Sequence, residues 1–190
     1  RQRQMCIRDS NIAARRAKGF VIVSDILAIL DEIQLGNHRV EAGLCMREGM
    51  LLNGILTNSE VWFGLTEDHY RDLEQVDEYL LKKIIKTQSK VPIESLYLET
   101  GTIPIRYIIK KRRINYLHHL ITRDSKELIN KVYHAQVRKP LRDDWATIVK
   151  KDLKRFLGNK GELLNSLSKD YTNRYTNKLI KKLNKFKNIN

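Results

Sequence analysis

Three prolines and nine glycines in 190 residues leave this chain little of the punctuation that a strand-and-turn architecture needs. Apolar residues instead recur at helical spacing along most of the chain, so long helices are the natural consequence. With 42% hydrophobic residues there is enough apolar surface for a real core, which argues against wholesale disorder. The expectation is an all-α, irregular multi-helix bundle of about seven to eight helices in one or two small lobes. No apolar run approaches the roughly 20 residues that span a bilayer, and no signal peptide is visible.

The first helix is expected over 12–34, with Ile22, Ile26, Leu27, Ile29, Leu30 and Ile33 inward, stopped by Gly36-Asn37. A second spans 38–57, with Leu44, Leu51, Leu52, Ile55 and Leu56 inward. Gly43, Gly49 and Gly54 either weaken it or permit close helix approach. Val61-Trp62-Phe63-Gly64-Leu65 reads as a compact aromatic knot. Thr66 is a good N-cap, with Glu67 and Asp68 in the first turn of a helix running to about Lys86. Leu73, Val76, Leu80, Leu81, Ile84 and Ile85 share one side of it, and Lys82, Lys83 and Lys86 suit its negative end. Pro92 opens a short helix ending at Gly101, and Pro104 opens one over 104–122. In the latter, Ile105, Ile108, Ile109, Leu117, Leu120 and Ile121 face inward. Further helices are expected over 125–138, from Asp143 or Asp144, and over 160–167 and 169–187.

Charge divides the chain. Residues 1–80 hold 9 Lys/Arg against 13 Asp/Glu, whereas residues 81–190 hold 27 against 9. A net charge of +14 placed this way should give the second part a positive potential that attracts polyanions. Nucleic acid is the favoured partner, whether RNA, DNA or an RNA–DNA hybrid. An acidic protein or a membrane surface is the alternative, and a solvated lysine-rich face the plain reading.

No residues gather into an active site. Asp143-Asp144 invites comparison with the metal-binding aspartates of polymerases, but helical spacing at Trp145, Ile148, Val149 and Leu153 makes them helix-capping acids. His118 and His119 point about 100° apart on a helix, so they suit a partly exposed pair better than one metal ion. Cys6 and Cys45 cannot build a disulfide framework or a four-thiolate zinc site, and Cys45 reads as a buried inert thiol. No cofactor and no small-molecule substrate is expected, and the two cysteines suit a reducing, intracellular setting, cytoplasmic or nuclear.

The basic helix is the strongest functional feature. Arg106, Lys110, Lys111, Arg112, Arg113 and Arg123 place cations around it, with Tyr107 and Tyr116 as stacking surfaces. One or two of these arginines would instead clamp Glu94 or Glu99 inside the fold. Arg138 and Lys139 with Arg142 form a second cluster, and Lys178, Lys181, Lys182, Lys185 and Lys187 a third.

Residues 1–10 stand apart. Met5-Cys6-Ile7-Arg8-Asp9 resembles the translated end sequence that transposase-based sequencing libraries attach to DNA, so the native chain is expected to begin near Asn11. On composition and punctuation, a helical part is expected over 11–90, a basic helical part over 91–158 and a Lys/Asn-rich helical tail over 159–190.

Three blocks together carry a family resemblance. The first is Leu52 to Leu65, with Asn58-Ser59-Glu60-Val61-Trp62 at its turn. The second is Leu73-Glu74-Gln75-Val76-Asp77 with Leu80 to Ile85. The third is Pro92-Ile93-Glu94-Ser95-Leu96-Tyr97-Leu98-Glu99-Thr100-Gly101, followed by Arg112-Arg113. From about Ala14 to Trp145 the chain resembles the region after the reverse transcriptase core of LINE-type (non-LTR) retrotransposons. There a G-x-E-x-W turn sits between thumb-like helices, followed by P-x-E-x-L-Y-x-E-x-G and an arginine pair. The resemblance implies a non-catalytic thumb and linker that grips nucleic acid while a palm elsewhere in the parent chain, an RNA-directed DNA polymerase, does the chemistry. The aromatic-x-Asp-Asp palm motif is absent, no endonuclease domain precedes and no Cys/His knuckle follows, so truncation at both ends is expected. A basic helical module that binds an acidic protein is the alternative function.

Overall fold

The computed structural model describes residues 2–33, 36–87, 90–124, 126–141 and 144–157, and the side chains of residues 2–8, 37 and 155–157 are outside it. Arg142, Asp143 and the Lys/Asn-rich tail with its two expected helices lie outside the described residues. Among those described there are seven helices and no strand, so the fold is all-α.

Helix α1 spans Gln2–Glu32, and α2 starts at Arg39–Met46, continuing through the π-helical turn Arg47–Leu52 to Asn53–Ile55. Helices α3 (Glu67–Ile85), α4 (Ile93–Thr100), α5 (Ile105–Thr122), α6 (Leu128–Arg138) and α7 (Trp145–Leu157) follow. The chain divides into two compact units, one formed by Arg1–Thr57 with Leu65–Ile108 and the other by Asn58–Gly64 with Ile109–Asn190. The division falls inside α5, whereas punctuation at Pro92 suggests a boundary near residue 90. Packing explains the difference: α4 buries Leu96 and Tyr97 in a cluster with Leu81 of α3, which ties it to the first unit.

In the first unit, α1 packs mainly on α3. Its buried residues are Ile12, Gly19, Val23, Ile26 and Leu30, a stripe at spacings of seven, four, three and four. Ile26 and Leu30 are inward as their spacing predicts, Ile22, Leu27 and Ile29 are half-buried, and Ile33 is exposed just past the helix end. Three glycines allow the helices to approach, and a Cβ on Gly54 would press on the end of the Ile22 side chain of α1. A Cβ on Gly19 would sit 2.8 Å from Val76 Cγ1, and one on Gly43 would sit 2.8 Å from Ile84 Cγ1. At Gly49 a Cβ would meet nothing within 4 Å, so that glycine only weakens the helix. Cys45 is exposed and not buried. It stands two residues from inward-facing Gly43, about 200° round the helix, on the solvent face.

Helix α3 forms for the reasons its sequence supplies. Thr66 is its N-cap: the Thr66 hydroxyl accepts from the His69 N–H at 3.3 Å while His69 Nδ1 accepts from the Thr66 N–H at 3.2 Å. That second bond fixes the ring as the tautomer with its proton on Nε2, which donates to Asp9 at 2.8 Å. Gly101, at φ 62°, closes α4 in the left-handed conformation that glycine adopts without cost.

The second unit gathers Ile114, Leu117 and Leu120 of α5, Tyr133 of α6 and Trp145, Ala146, Val149 and Leu153 of α7. Tyr116 and Tyr133 meet the Trp145 ring edge-on at 5.6 and 6.0 Å. The Trp145 indole N–H donates to the Glu60 carbonyl at 2.7 Å, which brings 58–64 into this unit. Val61 and Phe63 are exposed, so this turn is held by its backbone and by fully buried Ser59 and is no packed aromatic knot. Asn130 of α6 closes the end of α5, its Nδ2 donating to the carbonyls of Leu120 and Arg123 at 3.3 and 3.2 Å.

Candidate nucleic-acid interface

Successive residues of an α-helix are about 100° apart, so four cations in a row cannot share a face. Helix α5 shows the consequence. Lys110 and Arg113, three residues apart, turn inward at 9% and 1% exposure, Lys111 is exposed, and Arg112 is half-buried with Nη1 donating to Ser59 Oγ at 3.4 Å. Arg113 pairs with Asp152 of α7, Nε to Oδ2 at 3.3 Å.

Arg106 is a fastener within the first unit. Its Nε and Nη2 grip both oxygens of Glu74 at 2.8 and 2.7 Å, and Nη1 reaches Glu67 at 3.1 Å. The Glu74 bond, more than any other influence, holds its proton far above the ordinary arginine range. The clamp foreseen for an arginine of this helix therefore exists, with Glu74, Glu67 and Asp152 as its acids and not Glu94 or Glu99. Of the two tyrosines proposed as stacking surfaces, Tyr107 is exposed, whereas Tyr116 is committed to Trp145.

Apart from Lys111, the cations that face outward in the second unit lie beyond α5. Arg123 is exposed and pairs with Glu127 at 2.8 Å, and Arg138 and Lys139 are exposed at the end of α6. Lys131 of α6 and Lys150, Lys151 and Lys154 of α7 are exposed as well. They went unread as a group because each looks like an ordinary solvated lysine in sequence. What distinguishes them is that the two described carboxylates beside them, Asp144 and Asp152, are turned inward. Asp144 is buried, its Oδ1 accepting from the Thr147 N–H at 2.7 Å and its Oδ2 from the Leu141 N–H at 2.8 Å. Burial pushes its carboxyl up, but the bonds from Thr147 and Leu141 outweigh that and hold it below the usual range. Asp152 is buried against Arg113. Burial, and secondarily Arg138, lowers the proton affinity of His134.

The first unit holds a buried pair that sequence reading missed. Arg47 Nε and Nη2 meet the two oxygens of Asp77 at 2.6 and 2.7 Å, with both side chains at 1% exposure or less. Nη2 also donates to the Ile103 carbonyl at 3.1 Å, and the Tyr97 hydroxyl donates to Asp77 at 3.2 Å. Burial first, then the Asp77 charge, pushes the Tyr97 hydroxyl well above its ordinary range, which keeps it a donor. The signal was present: Arg47 continues the inward line of Gly43 and Leu51, and Asp77 that of Leu73 and Leu80. A charge at an inward position of two amphipathic helices asks for a partner.

His118 is half-buried and His119 exposed. Among the described residues no three His, Cys, Asp or Glu side chains gather as metal ligands, and no helix is long and apolar enough to cross a membrane. No protein-family model matches the chain, and no curated protein or solved structure does so either.

Proposed function

We propose that this chain is the non-catalytic thumb and linker segment of a LINE-type retrotransposon reverse transcriptase, and that its second unit grips the phosphates of an RNA–DNA duplex. The observation that carries the reading is the segregation of charge within that unit. Asp144 and Asp152 are spent internally, on a helix cap and on Arg113, while Lys111, Lys131, Arg138, Lys139, Lys150, Lys151 and Lys154 face outward. Such a surface presents more positive potential than its composition implies, and phosphate contacts of this kind position a duplex without reading its sequence.

The turn of the family pattern supports the same reading. Where that pattern has glycine, two residues before the glutamate, this chain has Asn58 at φ 58°. Among residues with a side chain, asparagine is one of the few that adopts this left-handed conformation readily. Polymerase chemistry belongs, on this reading, to a palm in the parent chain.

Anisotropy titrations with a labelled RNA–DNA hybrid over a range of salt test it. Affinity should fall steeply with salt, and replacing Lys111, Arg138 and Lys139 by alanine should flatten the log–log slope by about one for each phosphate that the variant leaves without its cation. Lys18, exposed on the first unit, serves as the control whose replacement leaves the slope unchanged. Binding that ignores salt would sink the proposal.

A further inference from the structure

Helices α5, α6 and α7 of the second unit enclose a cleft of about 60 Å³. Its walls are apolar, with Leu117, Val137, Pro140, Ala146, Val149 and Leu153 among the lining side chains, and its polar lining groups include Gln136 and Lys150. One wall is held in place: the Thr147 hydroxyl donates to the Leu141 carbonyl at 3.1 Å, and the bonds that the Asp144 carboxylate accepts from the Thr147 and Leu141 N–H groups close the same junction.

Size and lining select the occupant. An apolar cavity of about 150 Å³ takes a benzene ring, so a recess of 60 Å³ is too small for a nucleobase but suits a branched aliphatic side chain. Charge around it selects the rest. Lys150 lines the cleft, Lys151 and Lys154 lie beside it on the exposed face of α7, and Arg138 and Lys139 end α6. The nearby aspartates Asp144 and Asp152 are both turned inward.

We propose that this cleft is a docking site for an acidic peptide segment. A leucine-like side chain fills the recess, and carboxylates on either side of it meet Lys150 and the neighbouring cations. The proposal does not rest on the nucleic-acid reading, because phosphates need the cations but have no use for the apolar recess.

The test uses the full chain and two labelled synthetic peptides, one with a single leucine among glutamates and one with alanine in its place. The leucine peptide should bind about tenfold tighter, as expected for burying that side chain. Ala146→Leu, which fills the recess, should erase the preference. Should that variant lose its helical melt, Gln136→Trp, at a half-buried position of the lining, tests the same point without touching the core. Lys150→Glu should weaken both peptides. Equal affinity for the two peptides, or a preference that persists in Gln136→Trp, would overturn the proposal. The surface would then be a plain cationic patch that a phosphate backbone fits as well as a peptide does.

Discussion

Two aspartates show how burial changes what a charge does. Asp77 and Arg47 pair through two hydrogen bonds, yet desolvating two ions costs much of what their attraction returns. Removing one partner is a different matter. Arg47→Met should cost about 3–5 kcal/mol in urea unfolding, because it leaves the Asp77 carboxylate buried beside Tyr97. The double variant Arg47→Met, Asp77→Leu should recover part of that loss, short of about 1–3 kcal/mol for the buried Tyr97 hydroxyl left without its acceptor. A double variant no better than the single one would contradict this account. Asp144 caps α7, and Asp144→Ala should cost about 1 kcal/mol at neutral pH. Because its folded carboxyl is held low, the stabilisation is complete above the ordinary carboxylate value of about 3.9 and fades as pH falls through the lower folded value. Urea midpoints of native and variant chains should therefore converge only in acid.

Elements were more legible than faces. Thr66, Pro92, Gly101 and Pro104 mark helix ends through local backbone chemistry, and the observed helices start or stop at or beside each of them. Which side of α5 looks inward was not legible from its isoleucines alone, since Ile114 is buried while Ile108 is half-buried, and two cations take inward positions. Those cations are inside because Asp152 and the core of the second unit await them, a fact about residues some 40 positions further along the chain. The glycines of α2 make the same point in energetic terms. Gly43→Ala should lose about 1–3 kcal/mol by pressing on Ile84, whereas Gly49→Ala, facing open space, should gain about 0.5–1 kcal/mol. Thermal melts of the two variants should move in opposite directions.

Across the whole molecule, charge and core are divided between two units. Ile12 is buried, while Asp9 is largely exposed and accepts a hydrogen bond from His69 in the first unit. Asp9→Ala, which removes that exposed pair, should lose less than about 1 kcal/mol, measurable as a small fall in melting temperature. Chain length has a soft spot. One turn of π-helix holds about one residue more than a turn of α-helix, so Arg47–Leu52 stores a residue of slack between two stretches that pack in register. Deleting Gly49, whose position faces open space, would take up that slack and leave a regular helix, with Gly43 still against Ile84 and Ile55 still in the core. The chain could thus be shortened by one residue inside a helix, where such a deletion ordinarily rotates everything beyond it out of place.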